Sequence, residues 1–157
     1  MTLPWESIFG WTNSWAMLGW LILAFAPQRD KVLPFVFYMG CGLLALTYAS
    51  LILPLMAGWI DDGGTASGPQ PSLTTLAGVM ALFSSPGGTT IGWIHYLAFD
   101  LFVGLWVARN ADRHGYPRWV QIPILFFVLM AGPFGLLLYL ILRATHKGRP
   151  ENSTVPS

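Results

Sequence analysis

The chain has 157 residues, of which 54% are hydrophobic and only 10% are Asp, Glu, Lys or Arg, and its formal net charge is +1. Soluble domains contain about 25% charged residues, so this composition indicates an integral membrane protein. The basic residues do not cluster as a nucleic-acid-binding surface requires. Cys41 is the only cysteine, which excludes a disulfide framework and a cysteine metal site within one chain.

Two apolar stretches near the start of the chain are each long enough to cross a bilayer as a helix, which takes about 20 residues. The first predicted crossing covers residues 6–26 and ends at Pro27. A short charged loop, residues 28–31, leads to the second predicted crossing, residues 33–57. Small residues in this crossing would let another helix approach closely; they are Gly40, Gly42, Ala45 and Ala49.

The middle of the chain is less regular. Residues 61–72 are rich in Gly, Ser and Pro, which predicts an exposed flexible loop. Residues 73–83 place apolar side chains at helical spacing but are too few to span a bilayer. We expect an interfacial or re-entrant helix here, with a buried loop helix as the alternative. The sequence SSPGGTT, residues 84–90, should stop this helix.

Two more predicted crossings complete the fold. The third covers residues 92–110, and the fourth covers residues 121–142, where Pro133 should bend the helix. The sequence therefore predicts an all-α integral membrane protein with four transmembrane helices and one short interfacial or re-entrant helix. Residues 1–142 form a single transmembrane domain in this prediction, and residues 143–157 form a polar, disordered tail.

The basic residues constrain the orientation. They lie between the first and second crossings, between the third and fourth, and after the fourth. With four crossings, the positive-inside rule places the two connecting loops in the cytoplasm and both termini outside. A re-entrant turn at residues 132–135 would instead put all eight basic residues on the cytoplasmic side. We prefer four crossings because the half-helices of such a turn, about eleven residues each, are short.

Asp100 lies at the middle of the third predicted crossing, where an ionisable side chain disfavours insertion by about 2.5–3.5 kcal/mol. Such a residue usually has a partner or a function. At ~100° per residue, His95 and Arg109 share one face of this helix. Tyr96 and Asp100 share another face. His95 and Asp100 can therefore act together only across a ligand or with help from a neighbouring helix.

Each of these residues also has a structural interpretation. Asp100 could be hydrogen-bonded to Asn13 or Tyr48 on a facing helix. His95 could be a solvated interfacial histidine, and Arg109 could extend to lipid headgroups. These alternatives remain open at the level of sequence.

The sequence does not favour a haem, metal or nucleotide cofactor. Bis-histidine haem ligation needs two histidines at membrane depth, whereas His114 and His146 lie in predicted loops. Metal ligation lacks donors for the same reason. Phosphate loops, nucleophile elbows and dinucleotide fingerprints are absent from the sequence. We therefore predict no cofactor-binding residue and no metal ligand.

Three stretches resemble a known family. They are SSPGGTTIGWIHYLAFDLFVGLWVARNADRHGYP at residues 84–117, GPFGLLLYL at residues 132–140, and the start of the first helix at residues 9–15. Together they are similar to the abscisic-acid-deficient-type, neoxanthin synthase-like membrane proteins. The most specific part is HYLAFDLFVGLWVAR in the third predicted helix.

This resemblance implies a cofactor-free isomerase that opens an epoxy-carotenoid, such as violaxanthin, to an allenic product. The reaction needs an acid for the epoxide oxygen and a base for a vinylic proton. Our hypothesis assigns Asp100 as the base and His95 or Tyr96 as the acid. Arg109 would anchor an end-ring hydroxyl, and the other expected substrate-binding residues are Asn13, Trp93, Phe99 and Trp106.

Two other functions stay open. The chain could be a non-enzymatic pigment- or lipid-binding subunit of a larger, photosynthetic membrane complex. It could also be a proton-coupled carrier built around Asp100. The expected partners are membrane lipids, a carotenoid and other membrane proteins of a complex, with no nucleic acid. The protein is expected to be a multi-pass integral membrane protein, located in the inner or plasma membrane if it is bacterial.

Overall fold

The computed structural model describes residues 3–27, 29–64 and 71–145. These residues form helices joined by turns, which confirms the all-α class. The α-helices described are α1 (Trp5–Phe25), α2 (Arg29–Phe35), α3 (Leu43–Met56), α4 (Leu76–Leu82), α5 (Pro86–Arg113), α6 (Arg118–Met130) and α7 (Gly132–Thr145). A π-helical segment, Val36–Gly42, joins α2 to α3.

Three of the described helices are long and apolar enough, by length and composition, to cross a membrane. They are α1, α5 and the second long helix, Asp30–Met56, which contains α2, the π-helical segment and α3. The second helix starts earlier than predicted. Because α2 begins at Arg29, residues 29–31 of the predicted charged loop form its first turn. Asp30 is therefore held on a helix rather than in a loop.

The sequence SSPGGTT was predicted only to stop the short helix before it. The structure corrects this, because α5 also begins within these residues, at Pro86. The Ser85 hydroxyl accepts a hydrogen bond from the Gly88 N–H at 3.0 Å, as a helix N-cap does. Pro86 occupies the first helical position, where no N–H is needed. A Cβ on Gly88 would overlap the Leu82 carbonyl oxygen, so α4 ends directly against the start of α5. The predicted short helix is present as α4.

The predicted fourth crossing is not confirmed as one helix. Its residues form α6 and α7, and α7 runs back along α6. A Cβ on Gly135 would overlap the backbone of Val128, so the two helices touch near their turn. Farther along α7, the Tyr139 hydroxyl donates to Asn110 Oδ1 at 2.7 Å. The Tyr139 ring also lies 6.3 Å from that of Tyr116, so α7 returns to the level at which α6 starts.

The hairpin of α6 and α7 corresponds to the re-entrant turn, which the sequence offered as the alternative to a fourth crossing. Its helices have 13 and 14 residues, which is longer than expected. Ala131, with φ −156° and ψ 77°, breaks the helix between them. Arg118 fixes the start of α6 to the end of α1, because its guanidinium donates to the Ala24 carbonyl oxygen at 2.6 Å and to that of Ala26.

Both ends of the hairpin lie at the same end of the bundle. This end also holds the end of α1, the start of α2 and the end of α5. We call it the basic end, because the Lys and Arg residues that the structure describes lie there: Arg29, Lys31, Arg109, Arg113, Arg118 and Arg143.

Helix α5 is central, since α1, the second long helix and the hairpin all pack against it. Leu101 is fully buried and touches two glycines on different helices. A Cβ on Gly19 of α1, or on Gly40 of the second long helix, would lie 3.0 Å from Leu101 Cδ2. Trp20 covers Gly104 in a similar way. Gly40 therefore makes the close helix approach that the sequence predicts.

Two predicted mobile regions fall largely outside the described residues. Residues 65–70 belong to the predicted loop, and residues 146–157 belong to the predicted tail. Residues 143–145 continue α7, so the tail does not begin where the sequence placed it.

Candidate functional site

Two cavities lie in line between the second long helix and α5, and Phe37 and Tyr38 line both of them. One has a volume of about 340 Å³ and the other about 360 Å³. We call the two together the lateral groove. From Ala98 to Arg109 it follows α5 for about 17 Å, at a rise of ~1.5 Å per residue. The aromatic side chains along it are exposed, so the groove is open on the outer surface of the bundle.

The irregular part of the second long helix forms one wall of the groove. Pro34 lies within α2 and cannot donate a backbone hydrogen bond. The chain then continues as the π-helical segment, a feature that is frequent at functional sites. Trp15 of α1 donates its indole N–H to the Met39 carbonyl oxygen at 2.8 Å, which ties this segment to α1. Ala45, predicted to contact a neighbouring helix, lines the groove instead.

His95 lies near the end of the groove that is remote from the basic end. The centroid of its ring is 4.7 Å from that of Phe99, a groove-lining residue, and 5.4 Å from that of Tyr48 on α3. A phenol and an imidazole can each give or accept a proton. This end therefore holds two groups capable of proton transfer next to an apolar channel.

The opposite end of the groove holds charged groups. Asp30 and Arg109 line the same cavity, together with Tyr38. Leu33, Pro34 and Leu105 supply its apolar walls. Arg109 thus lies where the sequence-based hypothesis needs a polar anchor for one end of a long ligand. The groove changes from apolar in the middle of the bundle to charged at the basic end.

Asp100 does not face the groove. A Cβ on Gly132 would overlap its carboxylate, so Asp100 lies against the turn of the hairpin. Its side chain is half-buried and makes neither a hydrogen bond nor an ion pair within the described part of the chain. The suggested partners Asn13 and Tyr48 lie elsewhere, since Tyr48 contacts His95.

Asn13, Trp93 and Tyr96 form a third group, between α1 and α5. The Trp93 indole N–H donates to Asn13 Oδ1 at 2.9 Å. The Trp93 ring stacks on Tyr96 with an interplanar angle of 8°, and Phe9 lies 6.0 Å away from it. These contacts satisfy the polar groups of Asn13 and Trp93. The group lies apart from the groove, and the roles predicted for Asn13, Trp93 and Tyr96 stay predictions.

Residues 7–139 match the model of one protein family, described as ABA DEFICIENT 4-like. The chain belongs to this family. Membership makes it a membrane protein related to the carotenoid and abscisic acid pathway, and it confirms the resemblance of the three sequence stretches. The match extends from α1 into α7, so it includes both walls of the groove. No curated protein and no solved structure matches the chain.

For this family member, the structure divides the predicted site residues. His95, Phe99 and Arg109 lie along or next to the groove, whereas Asp100 lies at the hairpin. Trp106 packs its ring edge-on against Tyr139, 5.9 Å away. Within the described part of the chain, no three His, Cys, Asp or Glu side chains come together as metal ligands would.

Asp30 and Tyr38 line the groove and Tyr48 lies next to it, and none of the three was predicted there from the sequence. Asp30 was assigned to a loop, and Tyr38 falls in a π-helical segment whose register shifts the face that each side chain occupies. Tyr48 was considered only as a partner for Asp100. Helical spacing of four and three residues did carry a signal, since Tyr38, Gly42 and Ala45 follow one face of the second long helix.

We predict that Gly132→Ala destabilises the protein, because the new methyl group overlaps the Asp100 carboxylate. Overpacking of this kind costs about 1–3 kcal/mol. Asp100→Ala makes room, so the double variant should recover most of the loss, with a coupling of roughly 0.5–3 kcal/mol. Thermal unfolding in detergent measures this cycle.

Gly10→Ala is the matched control, since nothing lies within 4 Å of its Cβ position. If Gly132→Ala lowered the midpoint equally with and without the Asp100 carboxylate, the two residues would not be in contact.

Proposed function

We propose that this protein is a multi-pass integral membrane protein that holds a carotenoid lengthwise in the lateral groove and isomerises its epoxide end. The observation that supports this most directly is the groove itself. It is long, apolar in the middle, open on the face of the bundle, and flanked by polar groups at both ends. An apolar molecule with polar end groups has the matching chemistry.

The middle of the groove suits a conjugated chain. Phe37, Phe99 and Phe102 provide aromatic surfaces, and Ala45 and Ala98 leave space between the helices. Flat apolar groups pack well against aromatic rings. A molecule dissolved in the bilayer could enter sideways, because the exposed fractions of Phe99 and Phe102 are 58% and 44%.

The proposed reaction balances without an oxidant. The epoxide C–O bond breaks as its oxygen takes a proton from an acid. A base removes a vinylic proton, and the electron pair of that C–H bond becomes the second double bond of an allene. The product is an allenic alcohol with the composition of the substrate. Only proton transfers are required of the protein.

We assign these proton transfers to His95 and Tyr48. Tyr48 can donate to the epoxide oxygen, and the neutral His95 imidazole can accept the vinylic proton. Asp100, the base of the sequence-based hypothesis, faces the hairpin turn at Gly132. It would need to act from a different face of α5. The assignment therefore moves the chemistry to the face that lines the groove.

A second candidate function is a pigment-binding subunit without catalysis, alone or in a larger photosynthetic complex. It is supported by the 340 Å³ cavity, where aromatic rings and small side chains predominate. Binding alone would need no more than this part of the groove. Analysis of the pigment before and after contact with the protein separates binding from isomerisation.

We predict the topology from the three long helices and the hairpin. Residues 113 and 143 should share the cytoplasmic side with the other basic residues, and residue 61 should face the opposite side. In a Cys41→Ala background, the variants Asp61→Cys, Arg113→Cys and Arg143→Cys can be labelled with an impermeant maleimide in vesicles of known orientation. Labelling of residue 143 together with residue 61 would instead indicate a fourth crossing.

We predict that Ala45→Phe displaces the carotenoid, because the larger side chain fills the apolar cavity. The variant, purified in mild detergent from a carotenoid-producing host, should carry at least about tenfold less pigment per protein than the native chain. Filling even a methylene-sized space in a tight site costs ~1–3 kcal/mol. Leu46→Phe is the matched control, because Leu46 is exposed on the same helix and does not line the groove. Equal pigment in both variants would place the ligand elsewhere.

We predict that His95→Gln lowers the rate of allenic product formation by about 10²-fold or more, the usual contribution of an acid–base group, while pigment binding persists. Chromatography of an epoxy-carotenoid in proteoliposomes measures both. Asp100→Asn should retain the activity. If Asp100→Asn alone abolished turnover, Asp100 would be the base after all, and an unaltered carotenoid with the native protein would favour the binding subunit.

A further inference from the structure

Asp30 and Arg109 present opposite charges to one cavity without neutralising each other. Both line the 360 Å³ cavity at the basic end of the groove. Neither forms a salt bridge or a hydrogen bond with the residues that the structure describes. A carboxylate and a guanidinium that share a cavity and do not pair leave one acceptor and several donors free for a ligand.

We propose that Asp30, Arg109 and Tyr38 form a subsite that selects a ligand ending in a neutral hydroxyl group. Asp30 is the specificity-determining residue of this subsite. The inference rests on the proposed function, since the ligand is the carotenoid of the groove, and it defines which carotenoids bind well. The hydroxyl on one end ring lies in the cavity while the polyene continues past Phe37 and Tyr38.

A hydroxyl is the end group that satisfies both charges at once. It donates its proton to the Asp30 carboxylate and accepts a hydrogen bond from the Arg109 guanidinium. A ketone can only accept, so it leaves Asp30 without a donor. A carboxylic acid is ionised and is repelled by Asp30, and a hydrocarbon ring satisfies neither charge.

The walls of the cavity fit a ring that bears this hydroxyl. Leu33, Pro34 and Leu105 are apolar and lie beside the charged groups. Tyr38 separates the cavity from the apolar part of the groove, since it lines both. An end ring would therefore lie against apolar side chains with its hydroxyl directed to the basic end.

A zwitterionic phospholipid headgroup is the competing occupant, because its phosphate could contact Arg109 and its ammonium could contact Asp30. The observations favour the hydroxylated carotenoid. The cavity continues into an apolar groove lined by Phe37, Phe99 and Phe102. Aromatic rings pack well against a flat conjugated chain, whereas acyl chains are flexible.

The test compares four ligands in phosphatidylcholine nanodiscs, with quenching of tryptophan fluorescence as the readout. They are a dihydroxy carotenoid, its hydrocarbon parent, the corresponding diketone and an apocarotenoid acid. The native protein should bind the dihydroxy compound roughly tenfold more tightly than the hydrocarbon, as a hydrogen bond to a charged group implies. Asp30→Asn and Arg109→Gln should each bring this ratio close to one.

Two further comparisons separate a specific effect on binding from a folding defect. Lys31→Gln removes a neighbouring exposed charge outside the cavity and should keep the preference for the hydroxyl. Asp30→Asn should bind the apocarotenoid acid more tightly than the native protein does, because the repelling carboxylate is gone. This gain cannot arise from a misfolded protein.

The outcomes separate the two proposals. If hydroxylated and hydrocarbon pigments bound equally to the native protein, in an Ala45-dependent manner, the subsite would be wrong and the groove would stand. If no carotenoid bound at all, both proposals would fail. If phosphatidylethanolamine displaced the pigment from the native protein but not from Asp30→Asn, the cavity would be a lipid headgroup site.

Discussion

The fold depends on one crossing point, where Leu101 of α5 lies against Gly19 of α1 and Gly40 of the second long helix. In lipid, apolar side chains gain little by leaving their surroundings, so helices associate through close van der Waals packing. Two glycines that meet the same methyl carbon of one leucine, Cδ2, allow that close packing for three helices at once. Beyond Gly40, the second long helix exposes Gly42 and Ala45, and the lateral groove opens there.

The hairpin solves a separate problem. A helix that ends inside a membrane leaves backbone groups without partners, which is tolerated only where protein surrounds them. The turn at Ala131 is placed beside Asp100, on the central helix, and Gly132 is small enough for the carboxylate to approach. The ionisable residue and the irregular backbone are therefore neighbours.

Much of the fold follows from the sequence, because apolar length predicts long helices and the family resemblance is carried by long strings of residues. The sequence did not reveal that Pro133 follows a reversal rather than a bend. A proline removes the same hydrogen bond in both cases, and only the contact of Gly135 with Val128 distinguishes them. Similarly, helical periodicity places His95 and Asp100 on different faces of one helix. It does not show which residues of other helices contact each face, because those contacts depend on tertiary packing.

If the groove takes a pigment from the surrounding lipid, as we propose, its opening on the face of the bundle determines which ligand concentration matters. The pigment then arrives by diffusion within the bilayer and never crosses water. Its supply is therefore set by the number of ligand molecules per lipid, and not by their number per volume of solution. Adding lipid dilutes the ligand even when the amounts of protein and ligand stay constant. Occupancy would thus report the pigment content of the membrane around the protein.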